Sequence, residues 1–485
     1  MHFKKRLILV ISFFSLLFFL AIGFDIPYLR GPAPDPIEWQ WPYLFINTLH
    51  KIFPSLILIF IILFLFNIFD KLKEEEIGKY ERFFLPLIVL LGFLFQLSVI
   101  HFSRAGLFVL LERTINPGAN GYFTASLNIQ NISTFLREYN QIVPSFVMHA
   151  HGHPPGAILL YYFVNSFCLL FPSLNNFVNS LVASTKPINN IWITLLPFTK
   201  SGAIFASLLI PFISSLISIP LYYLAKKYHD SKTGLRSILL YTFTPSIILF
   251  TPLPDVYFTI FPILTFLSLL AFYDRKNISY LFLAGVFLAL GIFFSLSILT
   301  FVLMSFLIIL IKFEKIQKKF KEIVYQLIYF FSGIITPFIL LYLFFKFNII
   351  EVANTTLSLT QITIAHRSYF IWLFYNPYDL LVFSGIPIFI LFIYILKEFF
   401  NKLSFNKLRK NYLLSSFLIT FLILNFSGNV RGETARLLIP FIPFLILISF
   451  SYLKKINLTT RDFLFILFFQ AIQVLIMQEF WVPLW

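Results

Sequence analysis

Cysteine occurs once in 485 residues, at Cys168. No intrachain disulfide can therefore staple the fold, and the redox compartment stays open. Charge is almost as scarce: Asp, Glu, Lys and Arg make up 12% of the chain, against 59% hydrophobic residues. A water-soluble globule of this length needs far more charged surface than that, so a soluble enzyme or binding domain is excluded. The chain also lacks the two related halves by which many transporters are built.

What is present is phenylalanine, 67 residues of it, and a mean hydropathy of +0.86. The solvent for such a chain is mostly lipid, and an all-α polytopic membrane protein is the expected fold class. The run from about Leu7 to Phe24 is long for a signal-peptide core and reaches spanning length, so an uncleaved first helix is expected. Further apolar segments fall at 52–69, 83–101, 202–224, 236–253, 256–273, 279–295, 298–312, 324–346, 380–396, 412–427, 437–453 and 463–480. Together they predict a bundle of about 13 transmembrane helices. Lys and Arg concentrate at 4–6, 71–82, 226–236, 274–277, 312–321, 397–410 and 454–455. All seven runs share one side if every segment crosses and the N-terminus is cytoplasmic, as expected for an integral, multi-pass plasma or cell membrane protein. The net charge of +16 is thus topogenic, and nucleic acid is not an expected partner.

The outer side then comprises 25–51, 102–201, 254–255, 296–297, 347–379 and 428–436. The stretch 102–201 is rich in aromatic and apolar residues and is expected to form interfacial helices lying on the membrane. Within it, 157–171 is either re-entrant or paired with a crossing at 189–198, and the non-spanning reading is preferred.

Ionisable residues are few on this side, so each is a candidate. The first outer loop carries Asp25, Asp35 and Glu38 beside Trp39, Trp41 and Tyr43. Its acids are either solvated or held at the membrane surface as base or metal ligand, and its aromatics suit the lipid–water boundary. HAHGHPPG places His149, His151 and His153 at alternate positions. An extended strand would present all three on one face and could reach the ligand number of a zinc site. The other reading is neutral imidazoles that orient a phosphate or a carbonyl. Pro154 and Pro155 fix φ and start a helix, aiming the histidines from a rigid corner. Asp255 sits at an outer turn with no basic neighbour in sequence, where a carboxylate is either hydrated or used. Arg431, Glu433 and Arg436 precede a span. Two guanidinium forks suit a phosphate or pyrophosphate, although a self-paired interfacial anchor is the bland alternative. This inventory fits a reaction in which a lipid-linked phosphate leaves and a hydroxyl attacks.

GYFTA (121–125) followed by HGHPPG (151–156), with TPLPD (251–255) further on, resembles the GT-C superfamily of glycosyltransferases. The branch it is most similar to is the dolichyl-phosphate-mannose-protein mannosyltransferase type, family 39-like. The resemblance covers 83–300, leaving 1–82 as an extra N-terminal hairpin and 301–485 as C-terminal helices of a single domain spanning 1–485. It implies inverting transfer of a hexosyl or pentosyl unit from a polyprenyl-phosphate sugar to a lipid, glycan or protein on the outer side. An acid of the first outer loop would act as base or metal ligand, so a divalent metal is a candidate cofactor. Where that branch places acids before its YxxA helix, this chain has Ala119, Asn120 and Gly121. The catalytic acid is then sought among Asp25, Asp35 and Asp255, with Glu112 and Glu38 as further candidates. Asn120, Tyr122, His149, His151, His153, Arg431, Glu433 and Arg436 are expected to bind substrate. The missing acid also keeps a catalytically inactive structural subunit open, and a lipid or sugar flippase is the remaining alternative.

Overall fold

The structure is a computed structural model that describes residues 2–32, 38–45, 47–173, 175–177, 180, 200–313, 320–401 and 404–481. Helices account for every named element among them. This is what lipid demands, since an α-helix satisfies its backbone hydrogen bonds internally. The first helix, His2–Gly23, lies against the last, Thr460–Phe480, and against Ile386–Phe400, so the two ends of the chain close the bundle together. One apolar core runs from Leu7 to Trp481.

Among the described residues, seven helices are long and apolar enough to cross a membrane: Lys4–Gly23, Glu74–His101, Ser201–Tyr228, Asp255–Arg275, Lys321–Phe345, Ile439–Ile456 and Thr460–Phe480. Shorter apolar helices include Phe53–Phe69, Gly156–Leu169, Ser279–Phe294, Leu296–Lys312 and Tyr412–Phe426. The difference from about 13 spans has local causes. Apolar segment 236–253 is two pieces, Ser231–Thr242 and Pro245–Leu249, because Pro245 lacks the N–H that would continue the first helix. Segment 380–396 is broken at Gly385, whose φ of +113° separates Tyr369–Ser384 from Ile386–Phe400. The stretch 347–379, expected as an outer loop, is largely helical through Ile349–Ile364 and Tyr369–Ser384. Helix Gly156–Leu169 has 14 residues, a length of about 21 Å, which falls short of a hydrocarbon core of about 30 Å. The alternative crossing at 189–198 lies outside the described residues.

Packing between helices relies on small residues. Gly285 on Ser279–Phe294 faces Gly333 on Phe320–Phe345 so closely that a Cβ on either would overlap backbone of the other, at the Phe330 or the Phe282 carbonyl. In a bilayer, where burying apolar surface between helices is nearly neutral, close backbone approach and dispersion hold such a pair.

The basic runs meet at one end of the bundle. Asp70, fully buried, takes two 2.8 Å hydrogen bonds from Arg236 and one of 2.7 Å from the Thr460 hydroxyl. Lys226 pairs with Glu81 at 2.7 Å, Lys227 with Asp274, Lys454 with Asp230 and Lys455 with Glu398. Lys4 donates to the Asn457 carbonyl, and Lys312 sits 4.3 Å from the ring centres of both Tyr273 and Tyr412. The candidate site residues gather at other contacts, away from this ionic end.

Candidate functional site

The site begins at the proline corner. Val147 and Pro155 bracket HAHGHP, but Met148–His151 is a helical turn and not the strand that the alternation suggested. Helical geometry fans the three imidazoles apart. His149 Nδ1 accepts from Arg436 Nη1 at 3.3 Å. His151 Nε2 lies 3.4 Å from the Thr363 hydroxyl, on the rim. His153 presents its ring to the edge of Tyr122, with centroids 5.5 Å apart, while its carbonyl accepts from the Tyr139 hydroxyl at 2.7 Å. Gly156–Leu169 starts directly after Pro155, as the prolines dictate. Tyr122–Ser126 likewise begins at the GYFTA tyrosine, behind Gly121 at φ +71°.

Among the described residues no group of three His, Cys, Asp or Glu side chains could hold a metal ion. The diverging histidines do not fit one. Burial and the neighbouring Arg436 push His149 down to about 2. Burial likewise brings His153 to about 4, with Asp255 working in the opposite direction. Both rings are therefore neutral at physiological pH, and His149 is the acceptor that a guanidinium requires.

Asp255 opens the short helix Asp255–Phe258, which packs against the turn Thr434–Leu437. Asp255 is 5% exposed and Arg436 is 6% exposed. Arg436 Nε stands 3.8 Å from Asp255 Oδ2, and Arg436 Nη2 is 3.0 Å from Glu433 Oε2. Glu433 in turn lies 3.6 Å from Arg367 Nη2. The result is a buried chain of alternating charge, Asp255–Arg436–Glu433–Arg367. Burial opposes the charge on Arg436, but Asp255 and Glu433 outweigh it and raise its pKa. Tyr122 is fully enclosed beside this chain; burial first, then Asp255, raises its phenol pKa well above the usual value. Two hydrogen-bonding atoms facing the same region, His153 Nδ1 and the Tyr257 hydroxyl, are sealed from solvent without a hydrogen-bond partner. Such groups are expensive to leave unmet and mark where polar ligand atoms or water would sit.

The remaining candidates lie elsewhere. Asp25 pairs with Arg30 at 2.8 Å, at the end of the first helix, and makes no contact with Asp255 or His153. Asp35 falls outside the described residues. Arg431 turns back to the Gly428 and Arg367 carbonyls and covers the Tyr369 ring, so it braces the loop and does not join Arg436. Asn120 is fully buried and donates to the Tyr161 hydroxyl at 3.1 Å. Glu112 is exposed on its helix.

Three residues without an expected role, Arg113, Asn376 and Arg367, and one candidate acid, Glu38, shape the site. Arg113 is buried, donates to the Leu249 and Thr251 carbonyls at 2.9 and 2.8 Å, and ties Phe108–Ile115 to the segment before Asp255. Asn376 binds Thr434, Asn425 and Val430, anchoring the Arg436 loop. Glu38 accepts from the Ser368 backbone and the Trp372 indole, both at 2.7 Å, and fixes Arg367 in the next position along. Arg367 itself carried one signal: it is the lone arginine of the outer stretch 347–379.

A family profile described as dolichyl-phosphate-mannose-protein mannosyltransferase matches residues 187–342. This overlaps the expected 83–300 core from residue 187 onward and leaves GYFTA and HGHPPG outside the match. Among curated protein sequences none matches the chain. Among solved structures, an oligosaccharyltransferase of Archaeoglobus fulgidus, in complex with zinc and sulfate, aligns at 11% identity with a TM-score of 0.38. That alignment covers 78% of this chain and 53% of the other, so the chain spans about half the length of that enzyme. Over 187–342 the chain resembles the dolichyl-phosphate-mannose-protein mannosyltransferase branch of the GT-C glycosyltransferases.

Proposed function

We propose that the protein is an integral membrane glycosyltransferase that moves a sugar from a polyprenyl-phosphate donor to an acceptor hydroxyl on the outer face of the membrane. The observation that carries this reading is the buried Asp255–Arg436–Glu433–Arg367 chain in a protein whose middle third matches the mannosyltransferase profile. Asp255 is the base: the acceptor oxygen gives its proton to the carboxylate and bonds to the anomeric carbon. The bond from that carbon to the phosphate oxygen breaks, with inversion. Arg436 faces the charge that grows on the departing phosphate, in a site shielded from water where a fixed guanidinium acts most strongly. His149, neutral, holds Arg436 in place, and Tyr122 and His153 wall the sugar. The bilayer holds the donor's tail. The ionic end of the bundle is cytoplasmic on this reading, which puts the N-terminus there too.

The test is release of polyprenyl phosphate from a panel of hexosyl and pentosyl polyprenyl-phosphate donors by the full chain in lipid vesicles. Turnover of one donor, lost in Asp255→Asn, is the expected result. Asn120 supports a second reading, an inactive assembly subunit, because a fully buried amide bonded to Tyr161 stands where the family branch has an acid. An inert panel with a stably folded protein would favour that reading.

A further inference from the structure

Arg367 is incompletely satisfied within the charged chain. Its side chain is 10% exposed, Nη1 donates to the Arg431 carbonyl at 2.6 Å, and the guanidinium covers Trp39 at 5.6 Å. Its Nε is sealed from solvent without a hydrogen-bond partner. Its contact with Glu433, at 3.6 Å, is longer than a hydrogen bond. One carboxylate thus stands between two guanidiniums and satisfies only the Arg436 side, at 3.0 Å. A planar carboxylate offers two oxygens in one plane, whereas a phosphate offers three in a tetrahedron, which suits two forks set apart.

The loop carries the matching backbone signature. Glu433 is held at φ +55°, a left-handed conformation unusual for a side chain of its size, behind Gly432 at φ +91°. A Cβ at Gly432 would overlap Arg367 Nη1, so the glycine is what allows this arginine to approach.

Building on the glycosyltransferase reading, we propose that Arg367 and Arg436 together form the seat of a phosphate group, and that Glu433 occupies this seat until the phosphate arrives. The four groups are neutral in sum: two guanidiniums, two carboxylates. Adding a phosphate without moving an acid would crowd three anions round two cations, so binding is an exchange. Glu433 leaves, the phosphate takes one oxygen to Arg367 Nε and another to Arg436, and Asp255 stays with Arg436 to meet the acceptor.

The experiment measures binding of polyprenyl phosphate, and separately of inorganic phosphate, to the full chain in detergent. Removing the internal competitor in Glu433→Gln is expected to tighten binding by about 10-fold, and Arg367→Gln to weaken it by a similar factor. An unchanged or weaker affinity in Glu433→Gln overturns the proposal. Should that variant fail to fold, the unaltered protein still decides. Because Arg367 covers Trp39, phosphate binding should change tryptophan emission, and Trp39→Phe should abolish the change; no emission change on saturation with either probe overturns it. Tighter binding of the lipid than of the free ion assigns the seat to a lipid headgroup, equal binding assigns it to free phosphate, and both keep the seat. Neither probe carries a sugar, so the two tests fail separately: probe binding beside a donor panel that gives no turnover sinks the proposed reaction and leaves the seat standing.

Discussion

At the scale of single residues, the site is a problem of burying charge. Arg436 is covered on three sides by Asp255, Glu433 and His149, and each of these has a different task. Replacing Arg436 by Gln leaves two carboxylates facing each other in a site closed to water. Breaking a buried pair in this way costs about 3–5 kcal/mol, and a matching fall in resistance to denaturant should be seen. The histidines give a pH signature. Below pH 6.5 the unfolded chain takes up protons that the folded chain refuses until about 4 at His153 and about 2 at His149. Stability is therefore full above pH 6.5 and drains away as the pH falls toward 4. The thermal midpoint of the purified protein, followed from pH 7.5 to 4.5, should show this slope, and His149→Gln should flatten it. An identical slope in the variant would mean that His149 is charged in the fold. The geometry around Arg436 was half legible in the sequence. Scarcity exposed Asp255 and Arg436, because an ionisable group in so apolar a chain is conspicuous. Alternation misled at HAHGH, since spacing of two implies one face only in a strand, and Pro154 follows a helical turn instead. Arg367 was missed because its meaning comes from Glu433, 66 positions later, and no local pattern links them.

At the scale of elements, short contacts between distant helices do what side-chain burial does in soluble folds. The Gly285–Gly333 crossing is the tightest case. Gly285→Leu should force Ser279–Phe294 away from Phe320–Phe345 and cost about 1–3 kcal/mol, read as a lower thermal midpoint in detergent. Since Phe293 and Phe294 of the first helix border Gly156 at the proline corner, the same change should also lower phosphate affinity. At the ionic end, Asp70→Asn removes the charge and one of the two oxygens that accept from Arg236, at a fully buried position. It should destabilise by about 3–5 kcal/mol and leave phosphate affinity unchanged, because the site lies at the other end. Helix starts were readable where a physical marker exists, as at Tyr122 after Gly121 and Gly156 after two prolines. Breaks inside apolar runs, at Thr244 and Gly385, were not: hydropathy counts grease and does not register where a helix must stop.

At the scale of the whole molecule, the described members of the basic runs meet at one end, and the buried charge chain lies at the other, where Asp255–Arg275 and Ile439–Ile456 begin. The sequence supported the first half of that statement through the positions of Lys and Arg. It could not supply the second, because the site draws on segments as far apart as 113, 153, 255, 367 and 436. The profile match over 187–342 includes Asp255, while Arg436 and its other two neighbours, His149 and Glu433, lie in the flanks. The account is tested most directly by incubating the full chain in lipid vesicles with polyprenyl-phosphate sugars and counting released polyprenyl phosphate, beside Asp255→Asn. The prediction is release from at least one donor that falls by about 100-fold or more in the variant. Equal release by both proteins would contradict the role given to Asp255, and none from any donor would contradict the reaction itself.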